Sequence, residues 1–312
     1  MIETMKDGFP FTSICYPFNK HDAICVRPGS RDLEDYIDFI NRNNIEQACI
    51  IWNSLDFIVR CPSLKYLCIL PSAAANDNFD FSPLYEMPEI CSLNCVTTYG
   101  ETGQYTGVID YSQINGLRDL SLDYNRGALN VASITGLKSL SVGGYSSKTN
   151  DLHGLFCSKE LDSLRLTQCR IHSLNGIEIS KKLQCLYLYD NRALHDIDAL
   201  RHVREKLKVL RIENCSRIKD FSVLKELKSL ELLELCGSNI LPDLSFLNEL
   251  SNLKTFCFDM NVEDGDLSPC LRLYYAACLK NKRHYNLKDF DLPKNKPFIH
   301  GNEQIESWRR WE

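Results

Sequence analysis

The sequence predicts an α/β solenoid: short units of one strand and one return segment, stacked so that the strands form a parallel sheet along a concave side. Three observations predict it. One apolar spacing recurs in Leu161-Asp-Ser-Leu-Arg-Leu-Thr-Gln-Cys169, Leu183-Gln-Cys-Leu-Tyr-Leu-Tyr-Asp-Asn191, Leu207-Lys-Val-Leu-Arg-Ile-Glu-Asn-Cys215, Leu230-Glu-Leu-Leu-Glu-Leu235 and Leu253-Lys-Thr-Phe-Cys-Phe258. The starts fall 22, 24, 23 and 23 residues apart, inside the ~20–29-residue period of strand-and-return repeats. The 312 residues are 44% hydrophobic, enough for an extended core and too apolar for a disordered chain.

The elements follow in chain order. Residues 1–44 form an N-terminal segment in which Leu33, Tyr36, Ile37 and Ile40 recur at helical spacing, predicting an amphipathic capping helix over about 31–43. Residues 45–261 hold about ten repeats. Leu117-Arg-Asp-Leu-Ser-Leu-Asp-Tyr-Asn125 and Leu137-Lys-Ser-Leu-Ser-Val142 are good copies. Ile45-Glu-Gln-Ala-Cys-Ile50, Leu64-Lys-Tyr-Leu-Cys-Ile69 and Ile90-Cys-Ser-Leu-Asn-Cys95 are degraded ones. The first, fourth and sixth positions point inward; the third and fifth alternate outward, as a strand requires. Stretches such as 197–203 and 221–228 return as short helical turns. The length alone suggests two domains, and the repeat overrides that expectation in favour of one stack. Residues 262–312 are read as a C-terminal cap. Ser268-Pro269 starts a helix in which Leu271, Tyr274, Tyr275, Cys278 and Leu279 keep helical spacing. The polar tail 281–312 carries Trp308 and Trp311 and either lies along the cap or is free.

The pattern L-x-x-L-x-L-x-x-[N/C] resembles the leucine-rich repeat family, in its short intracellular or bacterial-type form without disulfide caps. The resemblance implies a horseshoe with capped ends and a role in protein recognition. It also implies that the ninth-position side chain (Asn53, Asn125, Asn191, Cys169, Cys215) sits inside the turn and satisfies backbone groups left unpaired there.

Catalytic signatures are missing. The net charge of −5 gives no reason to expect nucleic acid. The densest apolar run, Ala48–Trp52, is too short to span a bilayer, and residues 1–16 show no export signal. Fifteen cysteines, an odd number with no CxxC, read as reduced thiols in a cytoplasm. Gly143-Gly144 is followed by no Lys-Ser/Thr, so it is no phosphate loop. Residues 259–270 mimic a calcium loop but place its glycine late and Cys270 at the twelfth position. The seven histidines form no H-x-x-x-H pair, and His153, His172, His195 and His202 fall in return segments. Lys280, Lys282, Arg283 and His284 follow the last expected helix, where its dipole favours cations. No metal or cofactor is expected.

Function is therefore sought on the concave face, roughly 45 Å long for ten strands ~4.8 Å apart. Its N-terminal zone is small or apolar (Cys49, Ile51, Cys68, Leu70, Val96), open either to a partner or to cover by residues 1–30. Its C-terminal zone is aromatic and charged. Arg165, Gln168, Tyr187, Tyr189, Asp190, Arg211, Glu213, Glu234 and Asp259, with Asp123 and Tyr124, are the candidate partner-binding residues. Tyr and Arg dominate binding hot spots, and Arg165 and Arg211 should flank the Tyr187 ring. The insertions 71–88 and 97–107 are either binding loops or tolerated additions. The expected protein is monomeric when free and non-catalytic. Its partner is a protein, with a toxin neutralised by an immunity-type inhibitor as the specific reading. A regulatory or targeting subunit of an intracellular enzyme is the alternative, and an enzyme with a hidden Cys site the remote one.

Overall fold

The computed structural model describes residues 3–13, 22–70, 79–95, 107–124 and 126–295. These form two compact units, residues 1–143 with 155–158, and residues 144–154 with 159–312.

In the first unit, β1 (Glu3–Lys6), β2 (Phe9–Ser13) and β3 (Asp22–Val26) form an antiparallel meander. From β3 onward the sheet is parallel, through β4 (Gln47–Ile50), β5 (Tyr66–Ile69), β6 (Ser92–Cys95), β8 (Asp119–Asp123) and β10 (Ser139–Gly143). The two-residue strands β7 (Ile109–Asp110) and β9 (Ala128–Leu129) pair in the return layer. The expected capping helix is α1 (Leu33–Arg42), burying Tyr36, Ile37, Phe39 and Ile40. Glu34 and Asp35 in its first turn and Arg42 in its last suit the helix dipole.

Residues 3–13 do not fold over the apolar zone. They extend the sheet, and Phe9 stacks on Phe39 at 4.1 Å between ring centroids. Aromatic burial against α1 outweighs cover of the outer face. Residues 14–21 lie outside the described residues. The part of the 71–88 insertion that is described is a return segment: Phe79, Phe81, Leu84 and Met87 are buried around a 3-10 turn at Ser82–Glu86. Phe79 and Phe81 are core rather than binding loop, and half-buried Tyr85 accepts from the Asp110 N–H at 2.8 Å. Residues 71–78, 97–106, Val96 and Asn125 lie outside the described set.

The second unit carries β11 (Ser163–Thr167), β12 (Cys185–Tyr189), β13 (Val209–Glu213), β14 (Leu232–Cys236), β16 (Thr255–Phe258) and β18 (Tyr275–Cys278), all parallel. A minor pair, β15 (Ile240–Leu241) and β17 (Asn261–Val262), lies behind it. Inward rows run Leu164, Leu186, Leu210, Leu233, Phe256, Ala276 and Leu166, Leu188, Ile212, Leu235, Phe258, Cys278, all buried.

The expected C-terminal helix is absent. Ser268–Arg272 is a 3-10 turn and Tyr275–Cys278 is a strand. Leu273-Tyr-Tyr-Ala-Ala-Cys278 is one more repeat, with Ala276 and Cys278 where Leu is usual. The open ladder of β16 offers it more hydrogen bonds than a solitary helix could keep. The dipole reading of the basic cluster falls with that helix: Lys280 instead pairs with Asp259 at 2.6 Å.

The returns are 3-10 turns, and most open the same way. The backbone N–H groups of Asp198, Ser222, Ser245 and Ser268 donate to the carboxylates of Asp196, Asp220, Asp243 and Asp266 at 2.7–2.9 Å. The carboxylate two residues upstream supplies the acceptor the turn lacks.

Candidate functional site

The second unit's open face is built by strand register. In the third-position row, Ser163, Cys185, Val209, Leu232, Thr255 and Tyr275 stand side by side. In the fifth, Arg165, Tyr187, Arg211, Glu234, Cys257 and Ala277 do so. In the seventh, Thr167, Tyr189, Glu213 and Cys236 do. Parallel pairing without a bulge makes each row a straight line across the strands.

The fifth row is the centre. The Arg165 and Arg211 guanidinium carbons each lie 5.1 Å from the Tyr187 ring centroid, so the ring is held between two cations, as expected. Arg211 Nε is 3.4 Å from Glu234 Oε2, with those side chains 13% and 9% exposed. Burial lowers the Arg211 pKa from its usual value, against the opposing pull of Glu234. A buried pair of this kind holds geometry more than it adds stability. Tyr189 stands exposed at the rim, with Glu213 half-buried beside it.

Three predicted residues have other tasks. Gln168 and Asp190 are the eighth residues of their repeats and, with Gly144, Asn214 and Gly237, take left-handed φ angles between 53° and 137°. That conformation turns each N–H along the stack. The amides of Gly144, Gln168, Asp190 and Asn214 donate to the carbonyls of Thr167, Tyr189, Glu213 and Cys236, each at 2.9 Å. The Asp190 carboxylate is engaged by Arg192 at 2.7 Å and by Gln168 at 3.1 Å; the Arg192 bond first, then that of Gln168, lowers its pKa. Asp259 ends the ladder: its carboxylate accepts from the Gly237 N–H and from Lys280, both at 2.6 Å. It is a turn cap.

Asp123 and Tyr124 belong to the first unit, where the Tyr124 N–H donates to the Gly143 carbonyl at 2.7 Å. The rows described for the second unit do not include them.

The ninth-position prediction holds for Asn191, which is fully buried. Its carbonyl oxygen accepts from the Cys169 N–H and its amide donates to the Leu166 carbonyl, both at 2.8 Å. Cys215 directs its thiol at the Glu213 carbonyl at 3.5 Å. Asn53 is exposed instead. The signal that sequence reading missed is Asn239, one place later, whose amide donates to the carbonyls of Cys215 and Ile218 at 3.0 and 2.8 Å.

A separate concavity of about 540 Å³ lies at the leading edge of the same strands, lined by Gln184, Lys208, Glu231, Asn252 and Lys254 among others. Glu231 there pairs with Lys254 at 2.7 Å and Lys208 at 3.3 Å. Among the described residues no His, Cys, Asp or Glu group could hold a metal ion. No described helix is long and apolar enough to cross a membrane.

No family model matches the chain. A candidate adenylate cyclase regulatory protein of Trypanosoma equiperdum is 28% identical over 189 residues, covering 60% of this chain and 25% of its own length. The chain thus spans about a quarter of that curated relative. Among solved structures, an internalin of Listeria monocytogenes superposes with a TM-score of 0.52 at 19% identity, over 75% of this chain and 66% of its own. A leucine-rich repeat protein of Leptospira interrogans, at 12% identity over 80% of this chain and 82% of its own, reaches 0.38, too low to bear on the fold. With the L-x-x-L-x-L strands in register and the internalin superposed on them, the chain has the fold of a leucine-rich repeat solenoid.

Proposed function

We propose that this protein is a non-catalytic recognition scaffold that grips a protein partner through the open face of its second unit. The observation that carries the reading is the fifth-position row, in which Arg165, Tyr187, Arg211 and Glu234 are locked side by side. Preorganised aromatic and arginine side chains are the anchors that binding favours. Tyr189 and Glu213 form the rim a partner meets first. The charges of both signs suit a partner with a mixed polar surface, and the free thiols suit a reducing cytoplasm.

The partner is an intracellular enzyme that the protein regulates, a reading favoured by the regulatory name of the trypanosome relative. Neutralisation of a toxin is the narrower form of the same scaffold function, without a specific observation behind it. Capture of cross-linked partners on the full chain, from its native cell, tests both. Tyr189→Ala with Arg165→Ala should weaken the captured partner by ~10–100-fold. Unchanged capture would remove this face from the function.

A further inference from the structure

The first leucine of each repeat turns inward, so the two residues that flank it turn outward at the leading edge of the strands. In the second unit they form two columns. Glu160, Lys182, Lys206, Ser229 and Asn252 precede the leucines, and Asp162, Gln184, Lys208, Glu231 and Lys254 follow them. The concavity of about 540 Å³ is lined from both columns, between Gln184 and Lys254. Its volume is that of a small-ligand site, yet every residue that lines it is polar or charged. Ser229 and Asn252 are fixed there by donating to the Glu205 and Lys228 carbonyls of the preceding repeat, at 3.1 and 2.9 Å.

The charges of this concavity do not balance. Glu231 is held by Lys254 at 2.7 Å and by Lys208 at 3.3 Å, one carboxylate between two ammonium groups. Glu205, the other carboxylate of the lining, is balanced from outside by Arg204, which with Arg201 also holds Glu226. Lys206 is exposed and joins no ion pair among the described residues. Lys206 and one of the pair Lys208 and Lys254 are thus left without a counter-charge. Earlier on the same edge the match is one to one, Lys182 with Glu160 at 2.6 Å. Ammonium groups act as point charges, and without an arginine fork they suit a tetrahedral, doubly charged oxyanion better than a planar carboxylate.

We propose that this concavity binds a phosphate monoester, with Lys206, Lys208 and Lys254 as its cations and Gln184 and Asn252 as neutral donors. Glu231 is a positioning residue: it draws Lys208 and Lys254, which precede β13 and β16, toward one point. The ligand would bridge four consecutive repeats, so its binding stabilises their stacking by mass action. The site lies apart from the fifth-position row, and neither reading depends on the other.

Inorganic phosphate, titrated calorimetrically into the full chain at an ionic strength held constant with chloride, should bind saturably at one site. Lys206→Gln and Lys254→Gln should each weaken it ~10-fold, the loss of one charge-assisted hydrogen bond. Arg170→Gln, an exposed position past the other end of β11, should leave it unchanged. If Lys254→Gln lowers the urea midpoint in phosphate-free buffer, Lys206→Gln alone decides, since its side chain joins no ion pair between repeats. Glycerol phosphate and a phosphoserine tripeptide separate the sources of the group. Tighter binding of either than of inorganic phosphate supports the proposal and tells a free metabolite from a modified protein. Succinate binding as tightly as phosphate overturns it, because the concavity would then attract anions of any shape. A heat that grows with phosphate without saturating overturns it too, as does saturable binding that the lysine variants leave intact.

Discussion

At the residue scale, the side chains that matter most for the fold are buried polar ones that complete backbone hydrogen bonding. Asn191 bonds one N–H and one C=O of the preceding repeat from a site with no solvent. Asn191→Ala leaves both groups buried and unmet, so a loss of ~2–3 kcal/mol is expected, read as a lower urea midpoint with an unchanged slope. A loss under ~0.5 kcal/mol would mean that the turn relaxes to let water in. Cys169 and Cys215 take the same slot as small thiols, and burial raises their pKa values to about 12 and about 11. Such thiols are poor nucleophiles at neutral pH. Iodoacetamide should therefore label Cys157, the one exposed described cysteine, well before either, as peptide mapping would show. Rapid labelling of Cys169 or Cys215 in the folded chain would revive the thiol-enzyme alternative.

At the scale of the element, the recurring device is the carboxylate that opens a 3-10 turn. Asp110 bonds first the Ser112 hydroxyl, then Asn130 and Gln113, which holds its pKa at about 2. Asp220, through the Ser222 N–H first, and Asp243 and Asp266, through the hydroxyls of Ser245 and Ser268 first, are shifted the same way. A folded-state pKa below the unfolded value of ~3.9 means that the native state holds the ionised form. That contribution is complete above pH ~4–5 and is lost as the pH falls toward ~2. The urea midpoint should decline over that window, and Asp220→Asn with Asp243→Asn should flatten the decline. An undiminished acid slope in that variant would place the dependence elsewhere. The device was visible as Asp-Phe-Ser222, Asp-Leu-Ser245 and Asp-Leu-Ser268, one per repeat. The leucines drew attention from it because they carry the stronger period.

At the scale of the molecule, each unit grows by adding strands to an edge, and an edge accepts any segment that can complete a ladder. That explains both ends of the sheet. Residues 3–13 and 22–26 joined at the start because their aromatics pack on α1 while their backbone pairs. Residues 275–278 joined at the finish although their periodicity also suited a helix: Ala276 and Cys278 fill the inward positions that β16 leaves open. A short apolar run fits both periods, and the neighbour decides.

The sequence by itself determined the repeat, the inward rows, the α1 helix and the row Arg165–Tyr187–Arg211–Glu234, because each follows from a fixed spacing on a strand. Tertiary structure alone decided which polar residues were already committed. Gln168 and Asp190 look like rim residues in a row of letters, but the left-handed turn at the eighth position makes them hinges between repeats. Asp259 looks like a contact and is a cap. Tertiary structure also decided that the outward face is buried, since exposure depends on what lies above a strand, and no spacing along the strand records that.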